Sequence, residues 1–166
     1  MTDAAFDRWL ETVGASAAVG ADLEWFRELH RADGAADDQQ MRVAYRARQL
    51  ELASWAGVLV NRDIEHTTVV WGRLHALTWP ADDDEPWVDV GFGHLPLSGA
   101  SMMTVDPADI LRQVADKVQD AVMGQSSVWP ECIPHDAGLH AELRDGRAVW
   151  WCRRGDHLVA EIGQLG

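Results

Sequence analysis

The residues of this sequence best suited to chemistry are its two cysteines, Cys132 and Cys152, because each is followed closely by a histidine. His135 follows the first cysteine and His157 follows the second. Thiolate and imidazole are common zinc ligands, whereas two thiols alone form a disulfide in an oxidising compartment or lie buried as small apolar side chains. Residue types and spacing therefore leave three alternatives: a metal site, a disulfide, or two buried free thiols.

A β-hairpin is predicted to position these residues. Asp145-Gly146 is a favoured two-residue hairpin turn, and apolar runs flank it on both sides. Pairing outward from this turn places one set of residues on a common face: Leu143 with Ala148, Ala141 with Trp150, and Leu139 with Cys152. The other face takes His140, Glu142, Val149 and Trp151. A third strand is predicted after the turn at 153–156, with Leu158, Ala160 and Ile162 alternating along it.

The predicted layout resembles a zinc ribbon, in which two ligand-bearing turns at one end of a small antiparallel sheet hold a tetrahedral metal ion. The resemblance implies a structural zinc ion bound by Cys132 and His135 as C-x2-H and by Cys152 and His157 as C-x4-H. The second spacing is long for this pattern, so His140 is a substitute for His157, although the predicted register points it away from Cys152. The segments WPECIPH, AVWWC and VAEIG also resemble the tail of short actinobacterial proteins.

The charge of the chain narrows the choice of partners. Asp and Glu total 27 against 14 Lys and Arg, which gives a net charge of −13 and repels phosphate backbones and anionic membranes. Such a charge can serve solubility alone; the alternative is an acidic face that binds a basic protein, whereas nucleic acid and membranes are not expected partners. The N-terminus has acids and an amphipathic pattern instead of the basic and apolar segments of a secretory signal, so a cytoplasmic location is expected.

One acidic segment is the predicted partner-binding surface. It carries four consecutive acids between two tryptophans, and the full set is Trp79, Asp82, Asp83, Asp84, Glu85 and Trp87. Acids in a solvated loop attract a basic protein at long range, while exposed tryptophans supply the buried contacts of an interface.

An α+β fold is predicted, with N-terminal helices, a small antiparallel sheet, one further helix and the zinc-ribbon-like tail. Apolar periodicity places a helix before Gly14, a second at 22–32 and a long third one at 41–60, with Tyr45 and Trp55 in the core and Arg48 at its edge. Strands are predicted at 66–79 and 86–95, and a helix at 107–123 is capped by Asp106. Lys117 is placed on the exposed side of that last helix. The domain boundary is predicted between 1–125 and 126–166.

No sequence motif for catalysis is found, which favours a non-catalytic interaction or adaptor protein, with an immunity protein or an inhibitor of a basic enzyme as the first subclass. The alternative is a small enzyme of specialised metabolism with a pocket between helix 41–60 and strands 66–79 and 86–95. In that alternative the predicted strands and their entrance bring together histidines and acids, namely His66, His75 and His94 with Asp63, Glu65 or Asp89.

Overall fold

The computed structural model describes residues 4–66, 72–79, 87–93, 95–97, 102, 104–124 and 127–166. Within these residues the chain has four α-helices and three small antiparallel sheets, which confirms the predicted α+β class. None of the described helices is both long and apolar enough to cross a membrane.

Two short helices form an aromatic cluster at the N-terminal end. Helix α1 covers Ala4–Thr12 and helix α2 covers Gly20–Asp33, close to both predictions. Their buried residues form a cluster with the first turn of the next helix: Phe6, Trp9, Leu10, Val13, Phe26 and Met41. The Trp9 indole donates to the Ala36 carbonyl at 2.7 Å, so the polar atom of this buried ring is satisfied.

Helix α3 covers Asp38–Glu65 and is longer than predicted at its C-terminal end. It starts at a capping box in which Gln40 N–H donates to Asp37 and the Gln40 side chain accepts from Asp37 N–H. It continues through the polar residues after 60 because Asn61 bonds both the N–H and the C=O of Leu74, at 2.9 and 2.8 Å. A polar residue with both groups paired can be buried inside a helix.

The prediction that Trp55 lies in the core is wrong, because its side chain is 42% exposed. The core face of α3 carries Leu52, Ala53, Ala56 and Val60 instead. A stripe with a period of 3.5 drifts by about 20° per heptad around a straight helix of 3.6 residues per turn, so a residue two heptads along leaves the core face. Tyr45, nearer the start, is half-buried between the two hydrophobic clusters, and Arg48 at the edge pairs with Glu51 at 2.7 Å.

The first sheet packs on α3. Strand β1 covers Leu74–Trp79, β2 covers Trp87–Phe92 and β3 covers Leu95–Pro96, in the antiparallel order β1-β2-β3. Residues 67–71 of the predicted strand 66–79 lie outside the described residues. Helix α4 covers Pro107–Met123 as predicted, and its Asp106 cap accepts from Ala108 N–H at 2.8 Å.

The prediction that Lys117 is exposed is also wrong. Its side chain is buried between α4 and β2, and Nζ lies 3.0 Å from Oδ1 of Asp89, which is buried as well. Asp89 Oδ1 also accepts the N–H of Val90 at 2.7 Å. The ammonium makes no well-aligned hydrogen bond among the described residues, so the ion pair with Asp89 is what offsets its burial.

The C-terminal part contains two small sheets. Strands β4, Glu131–Cys132, and β5, Ala137–Gly138, flank a single 3-10 turn at Ile133–His135. Strands β6, His140–Arg144, β7, Arg147–Cys152, and β8, His157–Glu161, form the three-stranded sheet. The predicted pairs Leu143 with Ala148 and Ala141 with Trp150 are confirmed. Leu139 precedes β6 and donates its N–H to the Pro130 carbonyl at 2.8 Å.

The largest hydrophobic cluster takes side chains from both halves of the chain. Val60 of α3 and Val114 of α4 belong to it together with Trp150 and Cys152 of β7. The predicted boundary near residue 125 remains a prediction.

A buried carboxylate, Asp63, connects α3 to the C-terminal sheet. It accepts from the Trp150 indole at 2.7 Å and from the N–H groups of Gly163 and Leu165 at 2.6 and 2.9 Å. We call this arrangement the Asp63 clamp. Burial raises the pKa of Asp63, and the three donors oppose that rise.

Candidate metal centre

The candidate ligands lie on two turns of similar backbone form. Each turn starts at a cysteine and returns to its own sheet five residues later, and the closing pairs are Cys132 with Ala137 and Cys152 with His157. The fifth residue of each turn is an aspartate in the left-handed region, Asp136 with φ 46° and Asp156 with φ 48°. Asp is one of the few non-glycine residues that adopts this conformation readily.

The two turns differ at the positions that carry the side chains of the site. The fourth residue is His135 in the first turn and Gly155 in the second, whereas the sixth is Ala137 in the first and His157 in the second. A Cβ added at Gly155 would lie 2.5 Å from Nδ1 and 2.7 Å from Nε2 of His135 and would overlap its Cε1. The imidazole of one turn therefore fills the space left by the glycine of the other.

Four side chains converge between the turns. One ligand atom from each of Cys132, His135, Cys152 and His157 lies within 4.8 Å of all the others. Cys132 Sγ is 3.3 Å from His135 Nδ1 and 3.4 Å from His157 Nε2, and Cys152 Sγ is 3.5 Å from His135 Nδ1. Zinc bonds of about 2.3 Å to sulfur and about 2.0 Å to nitrogen separate the two atoms by about 3.5 Å at a tetrahedral angle. The cluster thus has dimensions compatible with a metal ion.

Both thiols of the cluster are buried and free. Cys132 is 2% exposed and Cys152 is fully buried, and neither is in a disulfide. Burial and the neighbouring Cys152 raise the pKa of the Cys132 thiol. A metal ion must displace these protons, and its charge then offsets the cost of two buried thiolates.

Hydrogen bonds around the cluster fix the turns. Gly155 N–H donates to Cys152 Sγ at 3.3 Å, which supports a thiolate. Arg154 reaches across from the second turn to the first and donates to the carbonyls of His135 and Asp136 at 3.1 and 3.3 Å. The ligand-bearing turns are therefore tied together by the backbone of one and a side chain of the other.

His157, and not its substitute His140, is the fourth member of the cluster. His140 of β6 pairs with Trp151 of β7 and is not one of the four residues of the cluster. Sequence reasoning missed Gly155 and Arg154 as parts of the site. A signal for the equivalent turns was present, since each cysteine is followed four residues later by an aspartate, Asp136 or Asp156.

The predicted partner-binding segment lies mostly outside the described residues, which omit 80–86 with Asp82, Asp83, Asp84 and Glu85. Backbone pairing joins Trp79 to Trp87, and the Trp87 side chain is 39% exposed.

Two residues of the alternative enzyme site lie close together: burial raises the pKa of Asp63, and the charge of His66 opposes that rise. Asp63 belongs to its clamp and Asp89 to the pair with Lys117. His66 and His75 are exposed, and His94 lies outside the described residues.

One groove of about 300 Å³ lies elsewhere, between the outer side of α3, the first turn of α4 and the β6–β7 hairpin. It does not lie between α3 and strands β1 and β2, where the enzyme alternative expected a pocket.

Comparison with known proteins adds no functional assignment to the contacts described above. No family model, no curated protein and no solved structure matches this chain.

Proposed function

We propose that Cys132, His135, Cys152 and His157 bind one structural zinc ion, which joins the two turns as in a zinc ribbon. The observation that carries the proposal is the set of three sulfur-to-nitrogen distances of 3.3 to 3.5 Å. They lie at or just below the about 3.5 Å expected in a tetrahedral site and need at most a small expansion to admit the ion.

The ligand set favours zinc in a structural role. Two thiolates and two imidazoles in a tetrahedral arrangement suit zinc better than magnesium or calcium, which take oxygen ligands. Four protein ligands complete the coordination and leave no position for water or substrate. Both cysteines belong to the larger hydrophobic cluster, so a metal bond here also fixes that part of the core.

Elemental analysis of protein purified without chelator tests the site. We expect about one zinc per chain, lost in Cys132→Ser and in Cys152→Ser, because one neutral hydroxyl cannot replace a thiolate. His140→Ala is the matched control, since His140 pairs with Trp151, the residue before Cys152, and does not belong to the cluster. Metal-free wild-type protein with two titratable thiols would overturn the proposal, and stoichiometric iron or copper would replace zinc in it.

We further propose that the protein is a non-catalytic binding component for a basic protein, with an immunity protein or enzyme inhibitor as the first subclass. A net charge of −13 and the exposed indole of Trp87 beside the acidic segment 82–85 support this role. Once a partner is isolated by pull-down, replacing the four acids by Ser or Asn should slow association roughly tenfold at low salt and leave dissociation almost unchanged. Unchanged association at low salt would remove the acidic segment from the proposal.

A further inference from the structure

The groove on the outer side of α3 has an apolar floor and an aromatic wall. Leu111 of α4, Ala148 of β7 and Ile162 form buried parts of its lining. Trp55, the residue that the sequence placed in the core, lies instead along this groove and is 42% exposed. An indole left this open beside an apolar floor presents surface that a ligand can bury.

The groove also offers hydrogen-bond donors that have no partner among the described residues. Neither the guanidinium of Arg62 nor the indole N–H of Trp55 is bonded to any group in the part of the chain that the structure describes. The second arginine of the groove, Arg147, differs because it pairs with Glu161 at 2.7 Å. The free polar groups of Trp55 and Arg62 are therefore donors, and one of them carries a full positive charge.

The charge of the whole protein does not decide what binds here. At physiological salt the field of an exposed acid is largely screened beyond a Debye length of about 8 Å. Glu161, the carboxylate that lines the groove, is already paired with Arg147. An anion in the groove therefore meets the charge of Arg62, which forms no ion pair with the residues that the structure describes.

We infer that this groove binds a small organic carboxylate with an apolar body. The apolar part would lie on the floor against the Trp55 ring, and the carboxylate would accept hydrogen bonds from Arg62 and from the Trp55 indole. A volume of about 300 Å³ suits a molecule of the size of a phenylalkanoate. This inference is independent of the proposed zinc site, which lies at the opposite end of β7, beyond Cys152.

The test uses the full chain and a matched pair of ligands, 4-phenylbutyrate and the neutral 4-phenylbutanol. Binding is followed by NMR through the tryptophan indole N–H resonances, with Trp55 assigned from the signal missing in Trp55→Phe. The acid should shift the Trp55 signal saturably, and the alcohol should bind about tenfold more weakly because it lacks the charge that Arg62 recognises. Arg62→Gln should weaken binding of the acid by a similar factor and leave binding of the alcohol unchanged.

The control variant is Arg8→Gln on α1, an exposed arginine at the other hydrophobic cluster, and it should bind 4-phenylbutyrate as the wild type does. The inference is overturned if the Trp55 signal does not move at millimolar 4-phenylbutyrate. It is also overturned if acid and alcohol bind equally, or if Arg62→Gln and Arg8→Gln have the same effect.

Discussion

Replacing Gly155 by alanine tests the architecture of the proposed metal centre without substituting a proposed ligand. The added Cβ would lie 2.5 Å from Nδ1 of His135, whereas ordinary contacts of this kind begin at 3.4 Å. The imidazole must therefore move by about 1 Å, and metal sites tolerate deviations of only about 0.2 Å in ligand distance. Gly155 does not have a positive φ, so the substitution introduces no backbone strain of that kind.

The expected loss of zinc affinity follows from the displacement of one of the four proposed ligands. Weakening a residue that only orients a ligand costs about 10-fold to 100-fold in metal affinity, so displacing the ligand itself should cost at least that much. At a fixed free zinc concentration this lowers the free energy of unfolding of the loaded protein by about 1.4 to 2.8 kcal/mol or more. The metal-free protein should change little, because the half-buried His135 ring can then turn away from the new methyl group.

Two assays separate these effects. Competition with a chelator of known affinity measures zinc binding, and urea unfolding with and without excess chelator measures stability. Gly124→Ala is the matched control, because Gly124 ends α4 in the right-handed helical region and an added Cβ there meets only ordinary contacts at 3.5 Å. It should retain zinc and leave stability unchanged or slightly higher.

A double-mutant cycle gives the sharpest result. His135→Ala removes the same ligand that Gly155→Ala displaces, so the double variant should bind zinc as weakly as His135→Ala alone. If Gly155→Ala binds zinc with wild-type affinity, or if the two losses add, the His135 ring does not occupy the space beside Gly155 and the geometry argued above is wrong.

Three further predictions concern the buried polar groups and are read by urea unfolding. Asp89→Ala leaves the buried ammonium of Lys117 unpaired and should lower the free energy of unfolding by about 3 to 5 kcal/mol. Replacing both residues by apolar ones of similar size should lower it much less. Equal losses in the two variants would contradict the ion pair. Trp150→Phe removes the indole donor to Asp63 and should cost about 2 to 4 kcal/mol. Burial raises the pKa of Asp63, so the stability that its protonated form contributes is fully present below the usual pKa of an aspartate and is lost as pH rises through the raised pKa. The difference in unfolding free energy between wild type and Asp63→Asn should therefore fall over that pH range. A difference that rises with pH would show that the pKa is not raised.

Local rules in the sequence were sufficient to predict several elements of the fold. Asp106 and Pro107 specify the start of α4 through a side-chain cap and a fixed φ, both of which act within one turn of helix. The two-residue turn at Asp145-Gly146 sets the β6–β7 register in the same local way. The turn from Cys152 to His157 follows directly from that register, whereas Cys132 and His135 were found from their residue types and spacing.

The errors arose where a distant partner decides the outcome. Lys117 is buried because β2 supplies Asp89, and no periodicity within α4 reports a carboxylate on another element. Helix α3 continues beyond residue 60 because Leu74 pairs with Asn61. Gly155 was missed because its role is to leave space for a ring from another turn. Each case depends on contacts between elements, which local spacing does not encode.

The Asp63 clamp has a consequence for the order in which the chain assembles. Its three hydrogen bonds join residues 87, 100 and 102 positions apart, whereas Cys132 and His157 are 25 positions apart. Contacts between residues near in sequence require less loop closure and tend to form early, so the two metal-binding turns should precede the clamp. Contacts made after the rate-limiting step affect mainly unfolding. Weakening the clamp should therefore shorten the lifetime of the folded chain while hardly changing the rate at which it folds.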